Sequence, residues 1–195
     1  QHEDFFVDLH IHTSYSDGVF TPFEVVEYAS KIGLSAISIT DHDTVDGIQE
    51  ALEAGKQFGV EVIPGIELSA ELGNITRTEM HILGYYINWQ SQSFKDALSV
   101  FKKVRKQRAR EIFSKLESIG IKLNPEGLIA SIGEKIVGRL HFAKALLEGK
   151  YVSSISDAFQ KYLGIDKPAY VPKHYISPGD AIGLILKAGG IPVLA

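Results

Sequence analysis

Hydrophobic and polar positions alternate along Val7-Asp8-Leu9-His10-Ile11-His12, and a period of two predicts an extended strand. Val7, Leu9 and Ile11 would pack on one side, leaving His10 and His12 aimed together at the other. The period then lengthens. Thr21-Pro22-Phe23-Glu24 has the T-x-x-E form of a capping box with proline at the first helical position, which predicts a helix to about Ile32, stopped by Gly33. Residues 36–40 read as a short buried strand. Ile48, Ala51, Leu52, Gly55 and Phe58 fall at helical spacing, and residues 60–66 give a third strand. Strand, helix, strand, helix, strand with connections of this length predicts a parallel sheet with outer helices, whose active residues gather at the C-terminal strand ends. Residues 80–87 form a fourth strand, reached through the polar stretch 71–79, a loop or a hairpin extension.

The pattern changes after residue 90. From 91 to about 163 it is helical throughout: Phe94, Leu98, Phe101, Ile112, Phe113 and Leu116 share one long helix, and shorter helices are predicted near 125–131, 139–148 and 155–163. This reads as a helical subdomain inserted over 91–175, between an N-terminal part at 1–90 and a return at 176–195. Ser177-Pro178-Gly179-Asp180 caps a further helix, Gly189-Gly190 ends it, and residues 191–195 begin a strand.

A chain of 195 residues with 45% hydrophobic content can bury a real core. No stretch approaches the roughly 20 apolar residues that span a bilayer, and the N-terminus lacks the basic-then-apolar secretion pattern, so cytoplasm is the expected compartment. With no cysteine, disulfides, thiolate metal sites and cysteine nucleophiles are excluded together, and any metal falls to His, Asp and Glu. A formal charge of -4, from 20 basic and 24 acidic residues, argues against a surface that grips nucleic acid throughout. The chain opens Gln1-His2 without a methionine, and His2 is given no role.

The candidate chemistry sits where strands hand over to loops. His10 and His12 are followed by Asp17 after the first strand, Asp41-His42 after the second, Glu67 at the end of the third and His81 in the fourth. Strand ends meeting around one opening would make of these a mixed nitrogen and oxygen site suited to zinc, manganese or iron, and this many ligands implies several ions. Plainer readings exist for each. Asp17-Gly18 also fits a turn, Asp41 a helix N-cap with Asp43 the better cap, Glu67 a solvated rim and His81 a satisfied core histidine.

The His10-x-His12 strand, Asp17-Gly18, Thr40-Asp41-His42-Asp43, Pro64-Gly65-Ile66-Glu67 and His81-Ile82-Leu83-Gly84-Tyr85 together resemble the polymerase and histidinol phosphatase (PHP) family. Gly138-Arg139-x-His141-Phe142-Ala143, Ala158-Phe159-x-x-Tyr162-Leu163-Gly164 and Lys167-Pro168-Ala169-Tyr170-Val171-Pro172 are similar to its branch of nucleoside 3',5'-bisphosphate phosphatases and 5'-3' exoribonucleases. The resemblance implies an α/β fold, a distorted (β/α)7 barrel with the helical subdomain inserted, and two or three divalent ions (Zn, Mn or Fe) at its C-terminal face. It implies that His10, His12 and Glu67 hold one metal, Asp17 and His42 a second, and that Glu67 bridges to a third bound by His81. Asp41 would orient a ligand imidazole from behind. Arg139 and His141 would approach the substrate phosphate, where a polar helix start is the plainer alternative.

Lys102, Lys103, Arg105, Lys106, Arg108 and Arg110 crowd one helix and could steer an anion, with Arg105 and Arg108 foremost, although such a run is usually a solvated face. His174 matches no ligand motif and is taken as a loop residue that could touch substrate. Family members continue a strand like Ile191-Pro192-Val193-Leu194-Ala195 into His-Pro and finish with Asp-x-His; neither is present, which suggests a truncated barrel. The expected activity is metal-dependent hydrolysis of phosphate esters, of nucleoside 3',5'-bisphosphates or the 5' ends of short RNA, with no membrane and no obligatory protein partner. No nucleotide-binding glycine loop is present. The alternatives are a histidinol-phosphate or other small-molecule phosphatase of the same family, and a non-catalytic, metal-stabilised module.

Overall fold

The computed structural model describes residues 5–72, 78–124, 128, 138–172 and 176–195. The predicted helix at 125–131, Leu128 apart, and His174 lie outside them. Two compact units emerge: Gln1–Ser99 with Tyr175–Ala195, and Val100–His174. Among the described residues no helix is long and apolar enough to cross a membrane.

The first unit runs β1 (Phe6–Ile11), α1 (Pro22–Lys31), β2 (Leu34–Ile39), α2 (Ile48–Phe58), β3 (Glu61–Leu72) and β4 (Thr78–Tyr85). After the first turns of α3 (Gln92–Ser118) and the second unit, it resumes with α6 (Pro178–Lys187) and β5 (Ile191–Leu194). The strands form one sheet in the order β1-β2-β3-β4-β5. β1, β2 and β3 are parallel, as the connections predict, but β3 pairs antiparallel with β4 and β4 with β5. The sheet is therefore mixed: parallel over the first three strands, and joined to the fourth by the hairpin extension that the stretch after residue 70 left open. Its physical reason is the short link after Leu72, too short for the crossover that parallel neighbours need.

The sequence reads correctly where its signals are local. Thr21 accepts from the Glu24 amide while the Glu24 carboxylate accepts from the Thr21 amide, and the helix stops before Gly33 at φ +81°. Ser177 caps α6 through the Asp180 amide. Val25, Val26 and Ala29 of α1 and Ala51 and Ala54 of α2 bury against Ile37 and Ile39 of β2 and Val62 of β3, so both helices cover one face of the parallel strands. The apolar set of β1 is covered only in part. Ile11 packs on this core, whereas Val7 is 52% exposed, because β1 is the edge of the sheet.

The second unit holds the rest of α3, α4 (Arg139–Glu148) and α5 (Ile155–Ala158), which continues as a π-helical turn, Phe159–Leu163. Ile112 and Leu116 of α3 pack with Phe142, Ala143 and Leu146 of α4 and with Ala158, Leu163 and Ala169. Phe113 meets Phe142 edge-on at 4.8 Å. The units divide within α3 rather than at its start near residue 91; Phe94 and Leu98, before the division, are buried.

Candidate metal centre

Four local devices carry the predicted ligands into one place. The first is the strand period of β1, which puts His10 and His12 on the same side with ring centroids 5.2 Å apart. The second continues the β2–β3 pairing beyond Ile39. The Glu67 amide donates to Asp41 O at 3.2 Å and the Asp43 amide to Glu67 O at 2.9 Å, so that His42 and Glu67 lie side by side as a parallel bridge. Asp43, a helix-cap candidate in the sequence, instead adopts φ +51° and accepts from the Ser69 amide at 2.9 Å, while α2 starts later with Gly47 as its N-cap.

The third device is Asp41. Its buried carboxylate accepts from the Thr13 amide (2.7 Å), the Thr13 hydroxyl (2.6 Å) and the Ser16 hydroxyl (2.5 Å), fixing the loop that carries Asp17. Asp17-Gly18 forms the turn that the plainer reading gave it: the Gly18 amide donates to Thr13 O, and a Cβ on Gly18 would collide with the His12 carbonyl. The fourth is the antiparallel β4, which pairs His81 with Ser69, just past Glu67. His10 and His12 stand at the end of β1 and His42 just past β2, as expected, but Glu67, expected at the end of the third strand, lies in the middle of β3, because pairing with β4 carries that strand on to Leu72; His81 lies in the first half of β4, which runs the other way.

Glu67 sits at the focus, 1% exposed. Its Oε2 lies 3.4 Å from His10 Nε2, 3.0 Å from His12 Nε2 and 3.1 Å from His42 Nδ1, and its Oε1 lies 2.7 Å from His81 Nδ1. Asp17 stands 3.2 Å from His12 Nδ1 and 3.7 Å from His42 Nε2. Among the described residues three groups could hold a metal ion: His10, His12 and Glu67; His12, Asp17 and His42; His42, Glu67 and His81, each with candidate ligand atoms within 4.8 Å of one another. The Glu67 oxygens are buried without a hydrogen bond in acceptable geometry, although imidazole nitrogens surround them. Nitrogen and oxygen donors converging this closely suit cations, and imidazole with carboxylate suits zinc, manganese or iron.

The electrostatics agree. Burial works to lower the His12 imidazole, but Asp17 and Glu67 outweigh it and hold His12 up to about 10. His12 pulls Asp17 down to about 2, against burial and with help from His42. Burial pushes Glu67 up, yet the imidazoles of His12, His81 and His42 hold its carboxyl well below the ordinary range. Asp41 is raised by burial, which outweighs its Ser16 and Thr13 donors. The carboxylates and imidazoles of the site thus hold one another in their charged forms despite burial.

Sequence reasoning missed the hydroxyls of Thr13 and Ser16, and also Glu79 and Tyr85. Glu79 Oε1 lies 3.3 Å from His81 Nε2; it stands two residues before His81 on the same strand face, a visible signal. The Tyr85 hydroxyl donates to Leu9 O at 3.0 Å, reaching from β4 to β1. The substrate candidates lie in the second unit. Arg105 is half-buried on α3. Arg108 is 8% exposed, so it is not on a solvated face, and its Nε donates to Val171 O at 2.9 Å. Arg139 lies 5.8 Å from the rings of both Phe159 and Tyr170 and donates to Leu163 O, and His141 Nδ1 accepts from the Gly138 amide at 3.0 Å at the start of α4.

Comparison with known proteins places this geometry. The chain matches the PHP domain family over residues 8–170. It is 34% identical to the 3',5'-nucleoside bisphosphate phosphatase of Chromobacterium violaceum, over 97% of this chain and 66% of that protein. It is 37% identical to a 5'-3' exoribonuclease of Haemophilus influenzae, over 96% of this chain and 67% of that protein. A crystal structure from Bifidobacterium adolescentis, inferred to be a metal-dependent phosphoesterase, superimposes with a TM-score of 0.87 at 28% identity, covering 98% of this chain and 67% of that one. The chain thus spans about two thirds of the length of the relatives it matches.

Proposed function

Because this chain belongs to the PHP domain family, we propose that its protein is a metal-dependent phosphoesterase of nucleotides, acting on nucleoside 3',5'-bisphosphates or the 5' ends of short RNA. The observation that carries the reading is the buried Glu67 carboxylate with four imidazole nitrogens at 2.7–3.4 Å. Two or three divalent ions held there would make water nucleophilic at neutral pH and neutralise charge as the ester bond breaks. His10, His12 and Glu67 would hold one, Asp17 and His42 with His12 nearby a second, and His81 with Glu67 and His42 a third. Glu67 would then act as the shared anion, its burial excluding water that would compete for its oxygens. Asp17 and His10, the more exposed members, would face the entering phosphate.

We read the five strands as part of a distorted barrel, a view supported by the Tyr85 hydroxyl on the β1 backbone, which requires a curled sheet. Recognition of the nucleotide is assigned to the helical unit, through Arg105, Arg139 and His141. Assay of the complete, manganese- or zinc-loaded protein tests the reading with adenosine 3',5'-bisphosphate, a 5'-phosphorylated RNA oligomer and histidinol phosphate. Turnover of either nucleotide, abolished by EDTA, is expected. Turnover of histidinol phosphate alone would reassign the substrate class, and turnover of none would leave a non-catalytic module.

A further inference from the structure

Within the second unit, Phe159 and Tyr170 come from different segments and meet at one arginine. The Arg139 guanidinium, at the start of α4, lies 5.8 Å from the centroid of each ring and donates through Nη1 to Leu163 O at 3.5 Å. Among the described residues it forms no ion pair, and its other N–H groups meet no acceptor. Carboxylates commonly hold a guanidinium by its donor edge. Here two ring faces and one carbonyl do so, and none of them neutralises the charge. Both rings are anchored in turn. Phe159 opens the π-helical turn, which the Gly164 amide closes on Phe159 O at 2.8 Å, and its ring packs on the core of this unit. Such turns are rare and frequent at functional sites. Tyr170 is held through its backbone: Lys115 Nζ of α3 donates to Tyr170 O at 2.6 Å, and Arg108 Nε donates to the next carbonyl, Val171 O, at 2.9 Å. The first turn of α4 has no acidic residue that would compete for Arg139.

We propose that Phe159 and Tyr170 are positioning residues, a cation–π clamp that orients the Arg139 guanidinium before substrate arrives, so that its remaining N–H groups take phosphate oxygens of the nucleotide. The inference rests on the recognition role given to Arg139 above. Rings suit this task better than a carboxylate, because they restrain a planar cation while leaving its charge and its in-plane donors to the ligand. Restraint before binding also spares the entropy of ordering a long side chain during it. A merely structural Arg139, capping the end of the π turn through Leu163 O, would give a different result: loss of either ring would lower stability and leave anion affinity as it was.

The test is nitrogen-15 NMR of the arginine-labelled complete protein, titrated with inorganic phosphate and read at Arg139 Nε, beside steady-state kinetics with adenosine 3',5'-bisphosphate. In the wild type, phosphate should shift the Arg139 resonance. Tyr170→Leu should weaken that titration and raise KM by about 5–30-fold, the worth of a cation–π contact of about 1–2 kcal/mol, with little change in kcat. Tyr170→Phe, which keeps the ring, should restore both, whereas Arg139→Lys should lose at least as much as Tyr170→Leu, since an ammonium has no fork to orient. Phe159→Leu repeats the test from the other side, and Tyr170 carries it alone where the loss of Phe159 from the core prevents folding. An Arg139 resonance indifferent to phosphate would overturn the inference, as would wild-type phosphate affinity in folded Tyr170→Leu or equal losses in Tyr170→Phe and Tyr170→Leu. None of these results touches the metal centre or the phosphoesterase reading. Conversely, a wild type whose Arg139 responds to phosphate as expected, but which hydrolyses no phosphate ester, would sink that reading and leave the clamp standing.

Discussion

His12 shows at the scale of one residue how proton and metal compete. Its imidazole is raised from 6.5 to about 10, so in the metal-free protein its contribution to stability is fully present below pH 6.5 and is lost as pH rises through about 10. Asp17 has the opposite sign: lowered from 3.8 to about 2, its contribution is present above 3.8 and lost as pH falls through about 2. Between these limits the pair carries a proton that a cation must displace, because a ligating nitrogen cannot also be protonated. Metal affinity should therefore climb about tenfold per pH unit above neutrality and level off as His12 deprotonates by itself. Calorimetric titration in two buffers of different ionisation enthalpy would measure about one proton released per ion near neutral pH; no release would contradict the assignment of His12 as a ligand.

Elements decide whether these residues meet, and β3 decides most. A Cβ on Gly65 would lie 2.9 Å from both Ile39 O and Thr40 Cγ2 and closer still to Ser38 Oγ, so glycine is what lets β3 lie against the end of β2. Two residues later Glu67 bridges to His42. Gly65→Ala should push the strands apart there, costing about 1–3 kcal/mol in chemical denaturation and weakening metal retention on dialysis; full metal retention in a destabilised variant would show that the bridge does not depend on this contact. Much of the element layer was legible in the sequence. Caps at Thr21 and Ser177 are local chemistry within four residues, and the period of two at His10 and His12 fixes which face they share. The direction of β1 to β3 was legible from the length of their connections, whereas that of β4 was not settled by its period, which parallel and antiparallel strands share, and pairing shows it reversed. Nor was the part played by Asp43 and Ser16 visible, since their partners lie 26 and 25 residues away and a short polar side chain before a helix reads equally as a cap or a turn. The same ambiguity hid Arg108: a run of basic residues on one helix has a periodicity but no record of which member faces a core.

At the scale of the whole molecule, ligands and recognition candidates divide between the two units. His10, His12, Asp17, His42, Glu67 and His81 all belong to the first, whereas the core around Phe142, Leu146 and Leu163 of the second includes no candidate ligand among the described residues. A cation that binds only the folded first unit stabilises it by mass action, about 2.7 kcal/mol at a hundred times the dissociation constant, or roughly 100-fold slower opening. The Asp43 and Glu67 amides report on that opening directly, because their hydrogen bonds are the bridge between the strands that carry His42 and Glu67. Amides of α4 report on the second core. Hydrogen exchange followed with manganese and again after EDTA should thus slow and recover at Thr40, Asp43 and Glu67 while leaving residues 142–148 unchanged. Equal slowing in both sets would mean that the units open together as one cooperative body, and no slowing at Glu67 would mean that the ions do not bind at the site its carboxylate defines.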